Sequence, residues 1–197
     1  MIKNKVVTAI ILAAGNSTRF GTGANKNFEM INGKTVLEYS INAFDLNKYV
    51  DEIFIVAKEC EFEFIKNSIL KSNYSKKIGI IKGGNSRKES VYNCINNITS
   101  DIVIIHDGAR PLIRQEYITN CIENMNDYYG VTIGIKTKDT IKITDDNGIV
   151  VNTTNRDNTW IIQTPQCFDR KVLLEMHNKY IDSTVTDDCS LLEKGRL

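Results

Sequence analysis

Five short apolar runs set apart by helix-sized spacers constrain this chain more than any other feature. Val6–Leu12, Ile53–Ala57, Ile78–Ile81, Ile102–Ile105 and Val131–Ile135 are rich in Val and Ile and do not alternate with polar residues. Strands covered on both faces read this way. The spacers carry helix signals. Thr35-x-x-Glu38 and Ser86-x-x-Glu89 are capping boxes, in which a hydroxyl and a carboxylate satisfy each other's neighbouring amides. Apolar residues then recur at helical spacing from Val36 to Phe44, from Glu61 to Leu70, through Ile98, and from Tyr117 to Met125. Alternation of this kind predicts an α/β fold, a doubly wound and mostly parallel sheet.

The pattern changes after Lys136. Thr140–Thr144 and Ile149–Thr153 alternate polar and apolar around Asp145-Asp-Asn-Gly148, a hairpin signal with a half-exposed face. We expect an arm over about 137–157 that projects from the body. Trp160–Gln163, the turn Thr164-Pro165, a helix from Asp169 to Tyr180 and a last helix near Thr186 follow. No linker or composition shift divides residues 1–197, so a single domain is expected.

Charge narrows the function classes. Lys and Arg number 25 against 24 Asp and Glu, and binding along a phosphate backbone or an anionic membrane needs a concentrated basic excess. Neither nucleic acid nor membrane is an expected partner. The five cysteines are scattered and form no Cys-x-x-Cys pair, which fits reduced core thiols in a cytoplasmic protein better than a disulfide framework. Lys3, Lys5 and the run to Ala14 imitate a short signal peptide, but the fold pattern needs this segment as its first strand.

Ligands of open α/β sheets bind beyond the carboxyl ends of the strands. Three loops fall there: Ala13–Arg19 with Lys26 beyond it, Gly83–Ser90, and His106–Pro111. The first has almost no side chain at Ala13, Ala14 and Gly15, so its backbone can approach a ligand closely, and amides ahead of a helix attract anions. Arg19 and Lys26 would add two positive charges. No Gly-x-Gly-x-x-Gly follows the first strand, and Gly21-x-Gly-x-x-Lys26 lacks the Ser or Thr of a Walker loop. A nicotinamide cofactor and P-loop chemistry are therefore not expected.

Ala13-Ala-Gly-x-x-Thr-Arg19 with Lys26 resembles the signature of sugar-nucleotidyltransferase-type enzymes. Gly83-Gly-x-x-Arg87-x-x-Ser90, His106-Asp-Gly-Ala-Arg-Pro111, Lys138-Asp-Thr140, Arg156 with Trp160, Gln163-Thr-Pro-Gln166 and Thr186-Asp-Asp188 are similar to the motifs of the 2-C-methyl-D-erythritol 4-phosphate cytidylyltransferase family. The resemblance implies transfer of CMP from CTP to a sugar-alcohol phosphate with release of pyrophosphate. It further implies Mg²⁺ carried mainly on the CTP phosphates and a homodimer made through the arm. Arg19 and Lys26 match the family's charge stabilisers. Ala13, Ala14, Gly83 and Ser90 would hold the cytosine, Gly15 would leave room for the phosphates, and Gly84 and Arg87 complete the nucleotide side. Asp107 matches a contact to ribose or to the acceptor, near the metal. Arg110, Thr140, Arg156 and Thr186 match contacts to the acceptor phosphate, with Thr140 and Arg156 supplied by the neighbouring subunit. Thr164 is either a further acceptor contact or a turn residue before Pro165, and His106 is expected to be structural rather than a base.

Two departures stand out. Asn27-Phe28 replaces the usual Gln-Tyr or Gln-Phe. The family pattern also continues past Leu197 through a further strand and an Asn-Ile-Lys-x-Thr motif, which implies a C-terminal end shorter than the family's. The shorter end leaves open a nucleotide-binding module without catalysis, and the shared first loop leaves open a ribitol-5-phosphate cytidylyltransferase, against which Arg156 with Trp160 and Gly108 favour the methylerythritol enzyme.

Overall fold

The computed structural model describes residues 5–15 and 25–197. Its centre is a six-stranded sheet in the order β5-β4-β1-β6-β10-β7. These strands are β1 (Val7–Leu12), β4 (Glu52–Ala57), β5 (Lys77–Lys82), β6 (Ile102–Asp107), β7 (Gly130–Lys136) and β10 (Trp160–Asp169). β1 pairs in parallel with both β4 and β6, and β4 with β5. β10 runs antiparallel between β6 and β7.

Alternate residues of the central strands supply two cores. Ala9 and Ile11 of β1, Ile53 and Ile55 of β4 and Ile104 of β6 pack on one face with α1 (Val36–Asp45) and α4 (Gln115–Glu123). Ile10, Val56, Val103 and Ile105 pack on the other with α3 (Arg87–Ile95), α5 (Arg170–Lys179) and α6 (Cys189–Gly195). Runs apolar at every position, as the sequence shows, are what a sheet covered on both faces requires. Cys94, Cys121 and Cys167 are buried here as packing residues.

Local signals explain the helix starts. The Thr35 hydroxyl accepts from the Glu38 amide while the Glu38 carboxylate accepts from the Thr35 amide, a complete capping box. At α3 only half the box forms. Ser86 accepts from the Glu89 amide, but the Glu89 carboxylate accepts from Asn85 instead. That helix ends at Ile95, short of Ile98. The expected helix at Glu61–Leu70 is a composite: a 3-10 turn at Glu59–Glu61, one α turn, α2 (Phe62–Phe64), and a π turn at Ile65–Ile69. Asn32 and Gly33 take positive φ between the short strands β2 (Met30–Ile31) and β3 (Lys34–Thr35), as a tight hairpin needs.

Trp160–Asp169, expected as a short run and a Thr164-Pro165 turn, is one strand, although a proline lacks the amide that a ladder needs. The chain solves this with a register shift between Ile162 and Gln166, and the Thr164–Pro165 bond is cis. β10 therefore parts the fourth apolar run from the fifth, so β6 and β7 are not neighbours. The arm forms as expected: β8 (Lys142–Thr144) pairs with β9 (Val150–Thr153), and both are exposed throughout.

Candidate active site

The end of β6 is fixed by a short chain of hydrogen bonds. The Asp107 amide donates to Thr164 Oγ1 (3.2 Å), and Thr164 Oγ1 lies 3.1 Å from His106 Nδ1. His106 Nε2 lies 3.1 Å from the Arg110 carbonyl. A carbonyl only accepts, so Nε2 carries the proton and Nδ1 accepts from the threonine hydroxyl. Burial pushes the imidazole pKa down to about 4. His106 is thus a neutral, fully engaged ring that locks β6 to β10. The Thr164 hydroxyl is committed to the same network, and Thr164 is buried.

Two small-residue loops meet beside this floor. A Cβ added to Gly83 would come within 2.5 Å of Ala14 Cβ and 3.2 Å of Ser90 Oγ. Only glycine permits so close an approach of β1's exit to β5's exit. The Ser90 hydroxyl accepts from the Gly84 amide (3.0 Å), which ties the second loop to the start of α3. Among the described residues, nothing lies within 4 Å of a Cβ built on Gly15. Lys26 opens a 3-10 turn and is exposed. The asparagines on either side anchor that turn to the same strand end: Asn25 and Asn27 both donate to the Ala13 carbonyl, at 2.9 and 3.3 Å. Asn27, one of the departures from the family pattern, therefore has a local purpose.

The charged wall joins the second and third loops. Asp107 Oδ2 accepts from Arg110 Nε at 2.9 Å, and Asp107 Oδ1 lies 3.9 Å from Arg87 Nε. Arg87 reaches in the other direction to Asp188 Oδ2 at 2.5 Å. Arg110 also donates to the Gln163 side chain. Burial works against the Arg87 charge, but Asp188 and Asp107 outweigh it and raise its pKa. Asp187 receives Gln166 at 3.0 Å and caps Ser190 at the start of α6. Gln163, Gln166, Asp187 and Asp188 carried no assigned role in the sequence reading. Their signal lay in the Gln163-Thr-Pro-Gln166 and Thr186-Asp-Asp188 motifs, which quote these residues without saying which way each faces.

The structure thus places Ala13, Ala14, Gly15, Lys26, Gly83, Gly84, Arg87, Ser90, Asp107, Arg110 and Thr164 along one edge, where the close approach of Ala14 to Gly83 and the Gly84–Ser90, Arg87–Asp107, Asp107–Arg110 and Asp107–Thr164 contacts join the loops. Thr186 is exposed next to the Asp187–Asp188 pair. Thr140 and Arg156 are exposed on the arm and its return, outside the hydrogen bonds and ion pairs that join the wall. Arg19 lies outside the described residues. Among the described residues no three His, Cys, Asp or Glu side chains cluster as a metal site.

A mostly parallel sheet with one reversed strand, and small-residue loops facing paired charges at its carboxyl edge, define an α/β enzyme of the nucleotidyltransferase class. The chain belongs to the 2-C-methyl-D-erythritol 4-phosphate cytidylyltransferase (IspD) family, whose profile matches residues 7–196. It is 40% identical over 193 residues to the cytidylyltransferase of Caldanaerobacter subterraneus, covering 95% of this chain and 85% of that one. It is 44% identical over 189 residues to that of Clostridium tetani, covering 94% and 76%. The crystal structure of 4-diphosphocytidyl-2C-methyl-D-erythritol synthase from Anaerococcus prevotii superposes with a TM-score of 0.86 at 34% identity, covering 98% of this chain and 84% of that one.

Proposed function

We propose that this chain is a cytidylyltransferase that transfers CMP from CTP to 2-C-methyl-D-erythritol 4-phosphate and releases pyrophosphate, in non-mevalonate isoprenoid biosynthesis. The observation that carries the reading is the convergence of the Ala13–Gly15, Gly83–Ser90 and His106–Arg110 loops in a chain that the family model matches over residues 7–196. The acceptor phosphate oxygen attacks the α-phosphorus of CTP, and the bond to the bridging oxygen of pyrophosphate breaks. A phosphate monoester is already a nucleophile, so no strong base is required. His106 fits this, since both of its nitrogens are occupied. Rate then comes from positioning and from cations facing the charge that builds on the phosphoryl oxygens.

Arg19 and Lys26 serve as those cations. Ala13, Ala14, Gly83 and Ser90 hold the base, Gly15 and Gly84 admit the phosphates, and Arg87 and Asp107 border the ribose and phosphates. Arg110 and Thr186 take the acceptor, and Thr164 acts through Asp107 and His106. A Mg²⁺ ion would be held mainly by the triphosphate, and Asp107, about one-third exposed at the cleft, is the carboxylate that could reach it. The ion would offset phosphate charge.

Thr140 and Arg156 act on the acceptor bound by a second copy of the chain. Exposed Ile143, Ile149, Val150 and Val151 on the arm, and an Arg156 that is exposed at the arm's return, support a dimer. Cytoplasmic location fits the scattered free thiols and the lack, among the described residues, of a helix long and apolar enough to cross a membrane.

The test is pyrophosphate release and CDP-alcohol formation from CTP with methylerythritol phosphate, against ribitol phosphate as competitor. We expect turnover with the former and at least tenfold less with the latter; faster use of ribitol phosphate would overturn the acceptor assignment.

A further inference from the structure

α3 begins with two cations, Arg87 and Lys88. This is the wrong end of a helix for positive charge, because the exposed amides there already carry a partial positive charge. Both side chains turn instead toward the segment between α5 and α6. Lys88 Nζ donates to the carbonyls of Tyr180, Ile181 and Ser183 at 2.5, 2.8 and 3.0 Å. Arg87 meets Asp188.

The two carboxylates on Arg87 differ. Asp188 is fully buried and 2.5 Å away, whereas Asp107 is one-third exposed and 3.9 Å away. Behind Asp188 stands His177, also buried, with Nε2 3.4 Å from Asp188 Oδ1. Among the described residues neither His177 nitrogen has a hydrogen-bond partner of good geometry. Burying a carboxylate costs solvation that an ion pair seldom returns in full. A buried Asp188 is therefore poor evidence of stability and better evidence that a geometry is being held.

We infer that Asp188 is a positioning residue for nucleotide binding: it grips one edge of the Arg87 guanidinium so that the rest faces Asp107 and the cleft. A planar donor fork held by one carboxylate presents its remaining N–H groups in a fixed direction, ready for a phosphate or ribose oxygen. Asp107, the looser partner, can give way to the nucleotide; Asp188 stays. The first turn of α3 and the Tyr180–Asp188 segment then act as one unit. This inference rests on the proposed use of CTP.

The experiment is a double-mutant cycle of Asp188→Asn and Arg87→Ala, read by CTP titration calorimetry, by KM for each substrate and by thermal melting. Asp188→Asn keeps the shape and removes the charge. We expect it to weaken CTP about tenfold, the scale of one charge-assisted hydrogen bond, with the acceptor KM within about twofold. The double variant should be no weaker for CTP than Arg87→Ala alone, because the same interaction is lost in both. Unchanged CTP affinity in Asp188→Asn, additive losses, or equal losses for both substrates would overturn the inference and leave Asp188 a plain structural residue. Should Asp188→Asn fail to melt cooperatively, Arg87→Lys asks the same question: it keeps the charge and loses the fork, and undiminished CTP affinity would overturn the inference. Wild-type protein that binds CTP without turnover would sink the proposed reaction but leave the cycle readable by calorimetry.

Discussion

The floor of the cleft and the arm are built on opposite terms. On the floor, His106, Asp107 and Thr164 complete one another's hydrogen bonds within one chain, and His106 is fully buried. On the arm, β8 and β9 pair with each other as a two-stranded ribbon among the described residues, and Ile143, Ile149, Val150 and Val151 are exposed. A two-stranded ribbon is marginal by itself in water, and apolar side chains grouped on a protruding surface mark an interface. The floor is a property of the monomer. Under the proposed function, the arm is half of a unit that a second copy completes.

The largest expected effect tests the cleft as an electrostatic device. Arg19→Ala or Lys26→Ala should lower kcat by about 10³ or more, the scale of a finger arginine, with an unchanged melt. Rapid-quench or pyrophosphate assays decide it, and near-normal turnover in both would remove these residues from the mechanism.

Next comes the floor under acid. His106 takes a proton near 6.5 when unfolded and only at about 4 when folded. Between those values the unfolded chain binds the extra proton, so its contribution is complete above about 6.5 and drains as pH falls toward 4. The loss over that span is about 3 kcal/mol. His106→Gln should flatten the pH dependence of urea midpoints between pH 7 and 4.5; an undiminished slope would show that other groups carry it.

For the arm, Arg156→Ala should raise the KM for the sugar phosphate by about 10- to 100-fold, one charged contact's worth, while CTP binding holds. Parallel loss of both substrates would contradict the division between floor and arm. The smallest effect concerns the arm's apolar face. Ile143→Ser with Val151→Thr should change monomer stability by no more than about 0.5 kcal/mol each, because both side chains are already exposed. The mass in light scattering should nonetheless drop toward that of a monomer. An unchanged mass would move the interface elsewhere.

Much of this was legible beforehand. Runs of Val and Ile too apolar for a solvent-facing strand made a two-sided sheet the economical reading, and the Thr35–Glu38 pair marked the start of α1 to the residue. β10 was not legible, because Pro165 argues against a strand unless a register shift removes its missing amide from the ladder, and that shift depends on neighbours distant in sequence. The cleft was half legible. Small residues at Ala13, Ala14 and Gly83 showed that something must come close, while their mutual contact is a matter of packing. Asp187 and Asp188 are adjacent and chemically identical, and local sequence does not say that one faces Gln166 and the other Arg87.

By itself the sequence determined most of the element types, β10 excepted, together with the strand ends that bear chemistry and the family, because periodicity, caps and loop motifs are local. Only the tertiary structure decided which carboxylate is buried, which histidine nitrogen holds a proton and which strand runs backwards. Those depend on what is brought alongside from elsewhere in the chain, where exclusion of water turns an ordinary polar group into a fixed one.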